Sequence, residues 1–60
     1  MDLSIYVTEL TAGLIGATAF AAAVRQTGQT SDAVRVLVPI ARHNAAAAEA
    51  LARLAPGQHR

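Results

Sequence analysis

The sequence predicts an all-α fold of two helices joined by a short turn. The first helix is a candidate transmembrane helix, and the second is amphipathic with a heptad seam. Three observations predict this fold. Residues 10–24 carry no charged side chain. The C-terminal half repeats its apolar positions every seven residues. Residues 27–30, between these two parts, form a glycine-containing segment of the length that joins two antiparallel helices.

The first helix is expected within residues 1–27, with Asp2 as its N-cap and Gly28 just after its end. Its apolar part, residues 3–24, contains one charge, Glu9. A helix of that length rises about 33 Å, and a bilayer core is about 30 Å thick. A chain of 60 residues cannot cover such a segment with its own core. We therefore expect burial in lipid or against other chains.

Small residues recur at every fourth position of this helix, at Gly13, Ala17 and Ala21. This spacing permits close contact between helices in membranes, and these three positions are the candidate helix-packing residues. Glu9 is the candidate functional charge. Inside a membrane a carboxylate indicates a proton site or a partner on another helix, whereas near the interface its side chain reaches water.

The second helix is expected over residues 32–55, after a turn at residues 28–31 and before a tail at residues 56–60. Thr30, Ser31 and Asp32 offer side chains for its N-cap and first turn. Pro39 lies inside it and removes one backbone hydrogen bond. Two alternatives follow: a helix that continues or kinks through Pro39, or an extended segment before a helix that begins at Pro39.

A heptad seam runs along this second helix. Its apolar positions predict contact with a partner helix, and its alanines would let that partner approach closely. Asn44 lies within the seam, where its amide either fixes the register of a buried contact or remains hydrated. The partner-contact residues are Val34, Leu37, Ala41, Asn44, Ala48, Leu51 and Ala55.

The opposite side of the second helix carries Arg35, Arg42, Glu49 and Arg53. Glu49 and Arg53 are four residues apart, a spacing that supports an ion pair along a helix. An arginine stripe can bind lipid phosphates or an acidic partner, and it can equally be a solvated face.

Composition limits the possible functions. The chain has no cysteine, a net charge of +1 and no motif for a metal, a cofactor or a catalytic pair. We therefore expect no catalytic, cofactor-binding or metal-binding residues, no cofactor, no enzymatic activity and no specific nucleic-acid partner.

The sequence thus predicts a small structural or accessory subunit that contacts other protein subunits or copies of itself. Its larger complex is expected in a membrane, with the lipid bilayer around the first helix and the C-terminal half on the cytoplasmic side. Two alternatives remain open. One is a soluble helical hairpin that forms a homo-oligomeric four-helix bundle in the cytoplasm. The other is a repeating subunit of a helical filament or virion.

Overall fold

The computed structural model describes residues 2–55. Within them the chain forms helices joined by short turns and no strand. The helices are α1 (Leu3–Thr11), α2 (Ala17–Thr27), α3 (Thr30–Ile40) and α4 (Ala45–Leu54). The predicted tail at residues 56–60 lies outside the described residues.

Two predicted helix ends are confirmed. Asp2 is the N-cap of α1, and its carboxylate accepts a hydrogen bond from the backbone N–H of Ser4 at 3.1 Å. Gly28 follows α2 in the left-handed region at φ 72°. The N–H of Gln29 then donates to the carbonyl of Val24 at 3.1 Å. Both ends use backbone groups that a helix leaves without internal partners.

The expected first helix is interrupted at residues 12–16. Gly13 adopts the left-handed conformation at φ 81°, and its N–H donates to the carbonyl of Leu10 at 3.1 Å. The N–H of Leu14 donates to the carbonyl of Glu9 at 2.8 Å. These two bonds form the Schellman motif, which ends a helix. Gly16, in an extended conformation, then becomes the N-cap of α2.

This break overturns the predicted two-helix fold and its transmembrane first helix. The longest helices have 11 residues and rise only about 16 Å, roughly half of a bilayer core. No helix within residues 2–55 combines the length and apolar character that crossing a membrane requires. The expected membrane localisation was therefore wrong. The prediction places Gly13 inside one long helix, whereas Gly13 at positive φ ends α1.

The expected second helix is likewise two helices. Pro39 lies inside α3, so the helical alternative for the preceding residues is confirmed and the extended alternative is wrong. The helix nevertheless ends at Ile40, one residue after the proline. A turn follows, and Asn44 starts α4 as its N-cap, with its side chain accepting from the N–H of Ala47 at 2.9 Å. A missing N–H at Pro39 and a strong cap at Asn44 together favour two helices.

Helices α2 and α4 form the centre of the fold, since each contacts the other three. Helices α1 and α3 each pack on both of them. Phe20 is the largest fully buried side chain of the described residues, and buried alanines of both central helices belong to the same core. Small side chains allow short interaxial distances, which suits a core built from so few aromatic residues. The core comprises Val7, Leu10, Ala17, Phe20, Ala21, Val24, Ala33, Leu37, Ala47, Ala50 and Leu54.

Candidate functional site

The seven residues of the predicted heptad seam do not form one continuous surface, because the turn between α3 and α4 divides them. Leu37 is fully buried in the core, and Ala48 is exposed. The other five are half-buried: Val34, Ala41, Asn44, Leu51 and Ala55. Contact between these seven residues and a partner chain stays a prediction.

The buried side of α4 is offset by one residue from the predicted seam. Ala47, Ala50 and Leu54 are buried, whereas Ala48 is exposed. The predicted seam continues the seven-residue spacing through the turn, as if α3 and α4 were one helix. The helical phase starts again at Asn44, and a cap residue at that position is the sequence signal that the seam assignment missed.

Asn44 connects two distant parts of the chain. Its side-chain oxygen caps α4, and its side-chain N–H donates to the backbone carbonyl of Thr11 at 3.1 Å. Thr11 is the last residue of α1, where helix carbonyls lack internal partners. The half-buried amide thus satisfies one group at the start of α4 and one at the end of α1.

The three candidate helix-packing residues of the predicted first helix lie in two different environments. Ala17 and Ala21 are buried on α2 inside the chain's own core. Gly13 is exposed and ends α1 instead of packing against a helix. Two of these small residues therefore serve packing within the chain.

Glu9 lies near the end of α1 and is half-buried. Ile5 precedes it by one turn on the same side of the helix and is 55% exposed. Within residues 2–55 the ion pairs are Asp32 with Arg35 and Glu49 with Arg53, so Glu9 has no charged partner there.

Four large apolar side chains in the described part of the chain are exposed to water. They are Ile5 at 55%, Leu14 at 74%, Val36 at 40% and Val38 at 46%. Leu14 falls inside the predicted membrane helix, although its position directly after Gly13 is a signal of a helix end. In a Schellman motif this position commonly packs on the residue five before it. Here that residue is Glu9, so Leu14 lacks an apolar partner at this point.

The two exposed valines lie on opposite flanks of the core side of α3. At 100° per residue, Val36 and Val38 each lie 100° from the buried Leu37. The apolar side of α3 is thus wider than the part that α2 and α4 cover. Val36 and Val38 therefore belong to different edges of the molecule.

The predicted arginine stripe is divided by the turn between α3 and α4. Arg35, Arg42, Glu49 and Arg53 are all exposed. The predicted pair is confirmed, with Arg53 and Glu49 at 3.3 Å. Arg25 also donates a hydrogen bond to the backbone carbonyl of Arg53, which brings a cation to the end of α4.

The part of the chain that the structure describes contains no pocket and no group of three His, Cys, Asp or Glu residues that could hold a metal ion. Its surface carries the exposed apolar side chains and the charges described above.

No protein-family model, curated protein or solved structure matches the chain.

Proposed function

We propose that this chain is a non-enzymatic structural or accessory subunit that acts through contacts between its helices and other protein chains. The observation that carries the proposal is the exposure of four large apolar side chains, which we call the exposed apolar set: Ile5, Leu14, Val36 and Val38. Each is at least 40% exposed, on two helices and one turn.

Contacts with partner chains on more than one side of the molecule would remove these side chains from water. Burial contributes about 25 cal/mol per Å² of apolar area, so burying several such side chains supports association. The charges favour a protein partner over nucleic acid. The net charge of the chain is +1, and two of its arginines are paired with carboxylates.

Co-purification of a tagged full-length chain tests this proposal. One variant replaces the whole exposed apolar set with serine. Its matched control carries serine at four exposed alanines: Ala12, Ala19, Ala22 and Ala48. Serine has a lower helix propensity than alanine but about the same helix propensity as valine and isoleucine. The control therefore lowers helix stability at least as much as the variant does. Circular dichroism verifies that both remain folded.

We expect the wild-type chain and the control to recover the same protein partners, and the serine variant to lose them. Recovery of every partner by the serine variant would contradict the proposal. So would a wild-type chain that is recovered alone, without a second copy or another protein.

A further inference from the structure

The outer side of α1 combines one apolar and one acidic side chain. Ile5 and Glu9 are four residues apart and therefore adjacent on the helix surface. Ile5 is 55% exposed, and Glu9 has no charged partner within residues 2–55. We call this pair the acidic surface.

The second half of α3 and the turn after it carry one apolar and two basic side chains. Val38 is 46% exposed, with Arg35 three residues before it on the same side of the helix. Arg42 follows four residues after Val38, in the exposed turn. We call these three residues the basic surface.

The basic surface retains positive charge that the chain itself does not neutralise. Arg35 lies 3.9 Å from Asp32, and their side chains are 79% and 63% exposed, so this pair is weak. Arg42 belongs to neither ion pair of the described residues.

We propose that the partner is a second copy of this chain, with the acidic surface of one copy packed against the basic surface of the next. Ile5 contacts Val38, and Glu9 pairs with Arg42. The proposal rests on the proposed function and names its partner. Its basis is complementarity of charge beside exposed apolar side chains. Ile5 lies one helical turn from the carboxylate of Glu9, whereas Val38 lies beside Arg35 on α3 and precedes Arg42, in the turn, by four residues.

Such a contact joins two different surfaces, so it is heterologous. Repeated from copy to copy, it produces a closed ring or an extending filament. Arg35 lies beside Val38 and adds to the positive potential that meets Glu9.

Charge reversal tests the pairing in the full-length chain, with association measured by analytical ultracentrifugation over a range of concentrations. Glu9→Arg and Arg42→Glu each place like charges together and should weaken association by about tenfold or more. The double variant E9R/R42E restores opposite charges and the wild-type net charge, so it should associate again. An equal mixture of the two single variants should also associate, because each supplies the surface that complements the other.

Two exposed valines of α3 test whether the apolar side chain of the basic surface contributes to association. Val38→Ser should weaken association, whereas Val36→Ser should not, because Val36 lies on the other flank of α3. Glu49→Arg is the matched charge reversal outside both surfaces, and it should leave association unchanged. If a reversal at Glu9 or Arg42 unfolds the chain, Glu9→Gln and Arg42→Gln replace it and should still weaken association.

The proposal is overturned if the wild-type chain stays monomeric at every concentration. It is also overturned if the single variants associate like wild type, or if neither the double variant nor the mixture recovers. A monomeric wild type would not contradict the proposed function, because co-purification can still recover a different protein that binds through the exposed apolar set. The two failures are therefore separate.

Discussion

At the scale of single residues, Asn44 is a polar side chain that connects two distant parts of the chain. It bonds to Ala47 in its own helix and to Thr11, 33 residues earlier in the chain. A single amide thus caps the N-terminus of α4 and joins it to the C-terminus of α1. Apolar packing alone specifies position loosely, whereas two directional bonds specify where the two helix ends meet.

Substitution of Asn44 should reveal both bonds. Asn44→Ala removes the cap and the contact with Thr11, so we expect it to lower the free energy of unfolding by about 1–3 kcal/mol. Asn44→Ser keeps a cap oxygen but is too short to reach Thr11, so its loss should be smaller. Urea unfolding followed by circular dichroism measures both. His43→Ala is the neighbouring control, and an equal effect from it would contradict this role.

At the scale of elements, the turn between α1 and α2 is built from two glycines with different tasks. Gly13 has φ 81°, a region in which side chains are strained. Gly16 has φ −83° and ψ 162°, which suits any N-cap residue, but it has no side chain to cap α2. Nothing lies within 4 Å of a Cβ placed at either glycine. The two positions therefore differ in backbone conformation and not in available space.

Substitutions at these glycines should act in opposite directions. Gly13→Ala should lower the free energy of unfolding by about 1–2 kcal/mol, because alanine is strained at positive φ. Gly16→Asp should raise it by about 1 kcal/mol, because its carboxylate caps α2 and complements the helix dipole. Thermal unfolding compares both variants with wild type. A destabilising Gly16→Asp would show that α2 does not begin at this cap.

At the scale of the whole molecule, stability depends on close packing between α2 and α4. Ala47 and Ala50 are fully buried on α4, although alanine contributes little apolar area by itself. Their value lies in their small size, because larger residues there would separate helices that share one core. The exposed Ala48, between them on the same helix, is free of this restriction.

Adding volume to α4 tests this arrangement. Ala50→Leu overpacks the core and should lower the free energy of unfolding by about 1–3 kcal/mol. Ala48→Leu makes the same chemical change at an exposed position of the same helix, so it should stay within about 0.5 kcal/mol of wild type. Denaturant unfolding of both variants gives the comparison. Equal losses would contradict the burial difference between these two alanines.

The sequence alone determined three features that depend on neighbours within one or two turns. The cap at Asp2, the left-handed Gly28 and the ion pair of Glu49 with Arg53 were all predicted correctly. Each follows from backbone groups or charges at most a few residues apart, so local chemistry is sufficient. The proposed partner surfaces depend on both the sequence and the tertiary structure. The spacing of Glu9 and Arg42 from their apolar neighbours is readable in the sequence, but the exposure of Ile5 and Val38 is not.

Only the tertiary structure decided how many helices form and which sides are buried. Glycine inside a helix costs about 1 kcal/mol, too little to require a break at Gly13 when apolar residues continue beyond it. Folding back is favoured because it places Val7 and Leu10 of α1 in one core with Phe20 of α2. The contact of Asn44 with Thr11 exists only after that return of the chain. Burial that depends on contact between distant segments cannot be predicted from either segment alone. For this reason two short helices form where the sequence predicts one long apolar helix.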